Sequence, residues 1–255
     1  PQDVAAMILF LIPPYLIIRW SWGQEDRQNA FSIAGIIALQ VILFLVIKQY
    51  SWFDFLGSLG TPVAVIGISY ILFRQIHLLV EAPYSRKYPF NFARYVAFML
   101  SPWSLIAGPI QRYDGFCTGL NEICRPSNYV VLSSFHRIIN GLIKAFVLAP
   151  LFFDTIDVTL LTEETANWLD FFVVFYSYPV YLYLNFSGYM DIVLGCANLS
   201  GFKNLPENFN RPYLARNVRD FWVRWHITLG VWIRNYIFSP LTIFLIKKIQ
   251  FFPQG

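Results

Sequence analysis

The sequence predicts an all-α, polytopic membrane protein. Only 13% of its 255 residues are charged and 56% are apolar, whereas soluble domains carry about 25% charged residues. Apolar runs recur along the whole length, so the hydrophobicity does not belong to a single signal or anchor. We expect about six to eight membrane-embedded helices. They should form a single membrane-embedded domain over residues 1–255, incomplete at both ends, because the chain starts without methionine and stops just after an apolar segment.

The first half of the chain contains four apolar segments, each predicted to be helical. Their lengths approach or reach the roughly 20 residues that cross the hydrocarbon core, and polar connectors such as Ser21–Ala30 separate them. Two adjacent prolines should bend or break the first segment, and the tripeptide Ser-Pro-Trp interrupts the fourth. In order, the segments are Val4–Trp20, Phe31–Ile47, Gly60–Val80 and Phe92–Ile110.

A polar loop, Gln111–Asn128, opens the second half and is followed by three further apolar segments. The middle one is long enough for one long helix or two short ones, with Pro179 as the expected break. The three segments are Tyr129–Phe153, Phe171–Leu199 and Gly230–Phe252.

Charge bias in the loops predicts the orientation of these segments. The loop Gln111–Asn128 carries two arginines, whereas the connector Asp154–Asp170 is acidic and has no basic residue. By the positive-inside rule, the first loop is cytoplasmic and the second faces outward.

Charge and cysteine usage exclude two kinds of partner. The formal net charge is +4, but the basic residues are scattered and form no basic stripe, so we expect no nucleic-acid partner. Cys117, Cys124 and Cys196 include no CxxC pair and no Cys/His cluster. They predict neither a disulfide framework nor a metal site, and we expect no tightly bound cofactor.

Polar residues lie inside two of the apolar segments, where a charge costs about 2.5–3.5 kcal/mol on insertion scales. In the third segment, Arg74 and His77 are three apart and share a helix face. They either pack inward and pair with a carboxylate or line a substrate cavity.

A second polar stripe runs through "NFSGYMDIVLGCANLSG" at helical spacing: Ser187, Asp191, Gly195 and Asn198. It indicates either helix packing around a paired aspartate, aided by small residues, or the wall of a cavity.

The segment Pro206–Tyr236 concentrates polar chemistry in an otherwise apolar chain. It contains five arginines, three tryptophans and one histidine. Its prolines predict a structured loop, and from Val218 the pattern becomes that of a continuous amphipathic helix with Trp222, His226, Leu229 and Ile233 on one face. Either this helix is an interfacial anchor, or His226 is a general base, since imidazole accepts a proton near neutral pH.

Three stretches resemble the membrane-bound O-acyltransferase family, in the bacterial branch of alginate O-acetylation and teichoic-acid D-alanyl transfer proteins. They read "GISYILFRQIHLL", "NFARYVAFMLSPWSLIAGPIQRY" and, from Asn185 to Leu241, a run containing "PENFNRPYL" and "DFWVRWHITL". The resemblance implies that family's helical fold, with a tunnel in which acyl donor and hydroxyl acceptor meet. It also implies transfer of an acyl group, most simply acetyl, from a thioester to hydroxyls of an envelope or extracellular polysaccharide.

The same resemblance implies roles for individual residues. His226 matches the histidine of the family's "RWH" motif and is the candidate base, or a support for it. The family's other histidine, in a downstream Trp-His-Gly setting, has no counterpart in these 255 residues. Either the chain is a fragment cut before that residue, which we favour, or the protein lacks it and is an inactive relative. The residues implied to brace or line the tunnel are Ser187, Asp191, Asn208, Asn210, Arg211, Trp222, Arg224 and Trp225.

We therefore expect a multi-pass O-acyltransferase of the cell (inner or plasma) membrane, in contact with membrane lipid. Its expected donor is an acyl-CoA or an acyl carrier protein, its acceptor a polysaccharide or teichoic-acid-type polymer, and its partners the proteins of an acylation complex. Two alternatives are a transporter and a non-catalytic scaffold of a polymer-modification or export complex. The transporter would use the intramembrane residues Arg74, His77, His136 and Asp191.

Overall fold

Regular structure in this protein is helical. The computed structural model describes residues 2–23, 30–48, 67–85, 87–156 and 167–250. Within these ranges the only strand-like pairing is an isolated bridge between Phe209 and Trp225, so the predicted all-α class is confirmed there.

Eleven α-helices occur in the described ranges, and two of them continue directly into π-turns. The π-turns are Ile143–Leu148, after the sixth helix, and Arg234–Phe238, after the tenth. The helices are α1 Gln2–Ser21, α2 Ala30–Lys48, α3 Ile68–Glu81, α4 Phe92–Met99, α5 Tyr113–Asn121, α6 Asn128–Leu142, α7 Ala149–Phe153, α8 Trp168–Leu199, α9 Val218–Arg224, α10 Ile227–Ile233 and α11 Ser239–Gln250.

The contacts divide the chain into two compact units. The first comprises Pro1–Thr118 together with His226–Gly255, and the second comprises Gly119–Trp225. In the first unit, Phe90, Tyr95 and Tyr113 form an aromatic cluster with ring centroids 5.8 Å apart. In the second unit, α6 packs along α8. The expectation of a single domain stays a prediction.

Two helical stretches in the described ranges are long and apolar enough to cross a membrane, Asn128–Phe153 and Ile227–Ile246. Only 11% of the first apolar window and 6% of the second are buried inside the protein. A core helix of a soluble domain would be mostly buried, so these outward apolar faces are suited to lipid. Shorter apolar helices cover Met7–Ser21 and Ile33–Lys48. The expectation of six to eight membrane-embedded helices stays a prediction.

Arg74 is buried in the first unit, and within the described residues it does not have the carboxylate partner that one interpretation of the sequence expected. Its guanidinium donates to the carbonyl oxygens of Phe98 (2.7 Å) and Met99 (2.6 Å), and to the hydroxyl of Ser104 (2.6 Å). The last carbonyls of a helix lack intrahelical partners and carry partial negative charge. The two terminal nitrogens of Arg74 therefore bond to the C-terminal end of α4 and to Ser104, whereas its Nε has no hydrogen-bond partner within the described residues.

Two expected interruptions are absent. Prolines do not end α1, and α8 runs unbroken through Pro179 from Trp168 to Leu199. A proline removes one backbone hydrogen bond, whereas ending a helix in apolar surroundings would leave several groups unsatisfied. The loop Gln111–Asn128, conversely, is not irregular throughout, because it contains α5.

Some sequence-based expectations fall outside the described residues. Most of the acidic connector Asp154–Asp170 lies there, at 157–166, as do 24–29 of the connector Ser21–Ala30, 60–66 of the third apolar segment and 251–252 of the last one. The predicted orientation in the membrane depends on that acidic connector, so it stays a prediction.

Small residues allow α6 and α8 to approach closely. A Cβ atom placed on Gly188 would lie 2.7 Å from the carbonyl oxygen of Gly141 and 2.8 Å from the backbone nitrogen of Ala145. A Cβ on Gly141 would in turn lie 2.6 Å from the carbonyl oxygen of Gly188. The contact is backbone against backbone, which is how glycines serve helix packing in membranes.

Substitution of Gly188 by alanine should destabilise the second unit. The atoms that the new methyl group meets are backbone atoms, so α6 and α8 must separate, at an expected cost of about 1–3 kcal/mol. Thermal unfolding of the purified protein in detergent measures this. Gly35→Ala is the matched control, since a Cβ there meets nothing within 4 Å and alanine is the better helix former. Equal melting temperatures for the two variants would contradict the close approach.

Candidate functional site

His226 lies at a break between two helices, not inside one. Helix α9 ends at Arg224, Trp225 is extended (φ −99°, ψ 127°), and His226 adopts a left-handed conformation (φ 44°, ψ 54°) as the residue preceding α10. The prediction of a continuous helix from Val218 is therefore wrong. Non-glycine residues with positive φ are uncommon, and such strained positions cluster at functional sites.

The preceding loop explains why the helix stops. The backbone nitrogen of Asn210 donates to the carbonyl oxygen of Arg224 at 2.9 Å, and Phe209 pairs with Trp225 in the isolated bridge. Since that carbonyl would otherwise continue the helical ladder, the loop competes with the helix and ends it. A further contact fixes the side chain of Arg224 at the end of α9: its Nε donates to Asp220 at 2.8 Å.

The loop residues predicted to brace the site lie in three different settings. Asn208 is fully buried, with its Nδ2 at 3.5 Å from the sulfur of Met190. Asn210 is exposed and pairs with the end of α9 through its backbone. Arg211 is exposed and left-handed (φ 46°). Bracing contacts therefore come from Asn208 and from the backbone of Asn210.

The two predicted tryptophans of this unit line an aromatic surface groove of about 320 Å³. Trp222 is 60% exposed. Trp225 stacks on Phe221, with ring centroids 5.6 Å apart, and meets Phe209 edge-on at 5.1 Å. The other residues that line the groove are Tyr178, Pro179, Leu182 and Tyr213.

A charged cleft of about 200 Å³ lies between α6, α8 and the loop before α9. At its centre, Asp191 accepts from the Nε of Arg137 at 3.0 Å and from the Nζ of Lys144 at 2.7 Å. The same arginine donates both terminal nitrogens to Glu207, at 2.7 and 2.6 Å. The aspartate of the polar stripe is thus paired and also lines a cleft, so both interpretations of the stripe hold.

Ser187 is a residue of this cleft whose hydroxyl group is not hydrogen-bonded within the described residues. Its side chain is 4% exposed, and within the described residues its Oγ has no hydrogen-bond partner. Asn210 and Arg211 also line the cleft, so it gathers four of the predicted residues.

The sequence interpretation missed three members of the cleft: Arg137, Lys144 and Glu207. A usable signal was present, because Arg137 and Lys144 are seven residues apart in an apolar segment. That spacing is two helical turns and places both cations on one face, opposite the stripe that carries Asp191.

A second polar network lies in the first unit. The Nε2 of His77 accepts from the backbone nitrogen of Tyr113 at 3.0 Å, and its Nδ1 lies 2.6 Å from the hydroxyl of Tyr236. That hydroxyl donates to Glu81, which is also 2.8 Å from the guanidinium of Arg112. His77 is therefore bonded at both ring nitrogens, and the network joins its own helix to two other segments, Arg112–Tyr113 and the turn that contains Tyr236.

The structure groups the predicted site residues by unit. Ser187, Asp191, Asn210 and Arg211 meet at the cleft, Trp222 and Trp225 meet at the groove, and His226 belongs to the first unit. Among the described residues, no three His, Cys, Asp or Glu side chains gather as metal ligands would.

Comparisons with known proteins agree on one family. The sequence model of the membrane-bound O-acyltransferase family matches residues 70–252. Teichoic acid D-alanyltransferases of Bacillus subtilis and Streptococcus thermophilus are 28% and 29% identical to this chain, over 97% and 96% of its length. A protein named "Probable alginate O-acetylase" from Azotobacter vinelandii is 31% identical over 69% of it.

The chain spans 64%, 60% and 35% of the lengths of those three relatives, respectively. The family match covers most of the chain and includes the loop, the helix break and His226. This chain belongs to the membrane-bound O-acyltransferase family.

Proposed function

We propose that the protein containing this chain is a multi-pass O-acyltransferase of the cell membrane. It moves an acyl group from a thioester to hydroxyl groups of an envelope or extracellular polymer. Family membership supports the reaction class. The named relatives act on teichoic acid and alginate, which supports a polymeric acceptor. The donor is an acyl-CoA or an acyl carrier protein, and partner proteins of an acylation complex deliver donor or acceptor.

His226 is the general base of this proposal. Its neutral imidazole takes the proton of the acceptor hydroxyl while that oxygen attacks the thioester carbonyl. The tetrahedral intermediate then collapses, the carbon–sulfur bond breaks, and the leaving thiolate takes the proton from the imidazolium. The products are an ester and a free thiol. Water must be excluded, because it would hydrolyse the donor by the same route.

The observation that carries the proposal is the position of His226. It is half-buried and lies one residue before the apolar span Ile227–Ile246. Its backbone has a left-handed conformation, which residues other than glycine rarely adopt. Burial lowers its pKa to about 4, from an ordinary value near 6.5. The imidazole is therefore neutral at pH 7 and can accept a proton.

Reconstitution tests the reaction class. We expect the full-length protein in lipid vesicles, given a carrier-protein or CoA thioester with a radiolabelled acetyl or D-alanyl group, to transfer label to a supplied polysaccharide or teichoic acid. The label should stay attached to the polymer after the protein and the thioester are removed, and mild base should then release it, as it does from an ester. Accumulation of the labelled group inside the vesicles without ester formation would support a transporter and contradict the proposal.

Two of the charged residues that suggested a transporter, Arg74 and Asp191, are bonded to other groups of the protein. Arg74 is bonded to backbone carbonyls and a serine hydroxyl. Asp191 is paired with Arg137 and Lys144. Fixed, internally paired charges support a structural role for these groups, so the acyltransferase is the function we favour.

A further inference from the structure

Three residues that follow His226 lie at four-residue intervals, and each is hydrogen-bonded to α3 or to the segment Ile110–Tyr113. The hydroxyl of Thr228 accepts from the backbone nitrogen of Ile110 at 3.0 Å. The indole nitrogen of Trp232 donates to the carbonyl oxygen of Phe73 at 3.1 Å. Tyr236 bonds to α3 through Glu81 and His77. We call Thr228, Trp232 and Tyr236 the docking stripe.

Two residues of the docking stripe are buried and Tyr236 is partly buried, so their hydrogen bonds are costly to lose. Thr228 is 7% exposed and Trp232 is 5% exposed. A buried donor or acceptor that loses its partner keeps the full desolvation penalty. A shift of α10 along its axis or a rotation about it would break the hydrogen bonds of all three residues together. The stripe therefore specifies one rotational setting of α10 against α3 and the segment Ile110–Tyr113.

The hydrogen bonds around His77 form a chain in which each group donates to the next, from the Tyr113 amide through His77 and Tyr236 to Glu81. Because its Nε2 accepts from the Tyr113 amide, the proton of the neutral ring lies on Nδ1 and is donated to Tyr236. The hydroxyl proton of Tyr236 goes to Glu81, whose charge meets Arg112. With both ring nitrogens occupied, His77 has no free position for a substrate proton. It is a positioning group and not a second base.

We propose that the docking stripe, with His77 as its anchor, positions His226 for catalysis. His226 is the first residue before α10, so the direction of its side chain follows the rotational setting of that helix. Misplacement of a catalytic group by about 1 Å can cost about 100-fold in rate. This inference rests on the proposed function, because it assigns the stripe a task only if His226 takes part in the reaction.

Removal of single hydroxyl groups tests the stripe. Thr228→Val and Tyr236→Phe keep the side-chain shape and remove one hydrogen-bonding group each. We expect kcat per folded molecule to fall about 10–100-fold, while KM for thioester and acceptor stays within about twofold. Thr228→Ser, which retains the hydroxyl, should restore most of kcat.

Matched controls exist for both variants. Thr242→Val removes a hydroxyl that bonds only to Phe238 of its own helix segment in the described contacts, and Tyr84→Phe removes one from a ring that is 67% exposed. Both should show wild-type kcat. A second readout is the rate at which diethylpyrocarbonate modifies His226, followed by peptide mass spectrometry. That rate should change in Thr228→Val and Tyr236→Phe and stay unchanged in the controls.

The outcomes separate the stripe from the proposed function. If His226→Asn is inactive while Thr228→Val and Tyr236→Phe keep wild-type kcat, the positioning inference is wrong and the acyltransferase stands. If the stripe variants only lower the amount of folded protein, with kcat per molecule unchanged, the stripe is structural and the inference is also overturned. If His226→Asn itself stays active, His226 is not the general base, and the positioning inference that depends on it is overturned as well.

Discussion

Replacement of His226 by asparagine is expected to lower acyl transfer by about 10²–10⁴-fold, the usual contribution of a general acid–base group. Asparagine is the sharper choice over alanine because His226 is left-handed (φ 44°), a conformation that asparagine tolerates well. The backbone break should therefore survive, and the variant should reach the membrane in normal amounts. Transfer of radiolabelled acyl group from thioester to polymer measures the effect.

A second histidine supplies the control. His136 is exposed on α6, where its Nδ1 contacts the side chain of Asn140 at 3.2 Å. It belongs to the other unit and lines neither the cleft nor the groove. His136→Asn should leave transfer unchanged. Full activity in His226→Asn would contradict the base assignment and favour the scaffold alternative, in which the protein is needed but its histidine is not.

The pH profile gives an independent readout of the same residue. Burial lowers the pKa of His226 to about 4, and only the neutral ring can accept a proton. Activity should therefore stay near its maximum from neutral pH down to about pH 5, and should fall as the pH approaches 4. The residual activity of His226→Asn should lack this fall. An acid limb centred near the ordinary histidine pKa of 6.5 would show that another group, or a more solvated His226, limits the reaction.

Periodicity and composition predicted the parts of the fold that depend on average hydrophobicity. The all-α class was predicted from apolar runs, and the small residues Gly188 and Gly195 predicted that another helix would approach closely, although not that this helix is α6. The stripe through Ser187 and Asp191 also lies where expected, on a cleft wall. Each of these features depends on residues of a single segment or of one face of a single helix. The 3.6-residue period of a helix is therefore enough to predict them from the sequence.

The features that sequence reasoning missed depend on tertiary contacts. A helical period continues through Trp225 and His226, but the backbone leaves the helix there because Asn210 captures the carbonyl of Arg224. One interpretation paired Arg74 with a carboxylate, yet within the described residues its terminal nitrogens bond to carbonyl oxygens at the end of α4 and to Ser104. Such competition between local pattern and distant backbone groups has no signature in spacing alone.

Loss of the Asp191 carboxylate should have the largest effect on stability. Asp191 is the anion shared by Arg137 and Lys144, and these three side chains are 17%, 28% and 30% exposed. Asp191→Ala leaves two partly buried cations facing each other, at an expected cost of about 3 kcal/mol, the lower end of the range for a broken buried pair. For a chain of this size, the melting temperature in detergent should fall by about 6–12 °C. Asp154→Ala, an exposed aspartate, should leave the melting temperature nearly unchanged.

A compensating variant decides whether charge or packing causes that loss. Lys144→Met added to Asp191→Ala removes one of the stranded cations, and Arg137 keeps its two bonds to Glu207. Because removing both partners of an ion pair costs far less than removing one, the double variant should recover about half or more of the lost stability. Additive losses from Asp191→Ala and Lys144→Met would mean that the two residues contribute through packing. The charged cleft would then be a by-product of helix packing, and Asp191 would have no electrostatic task in it.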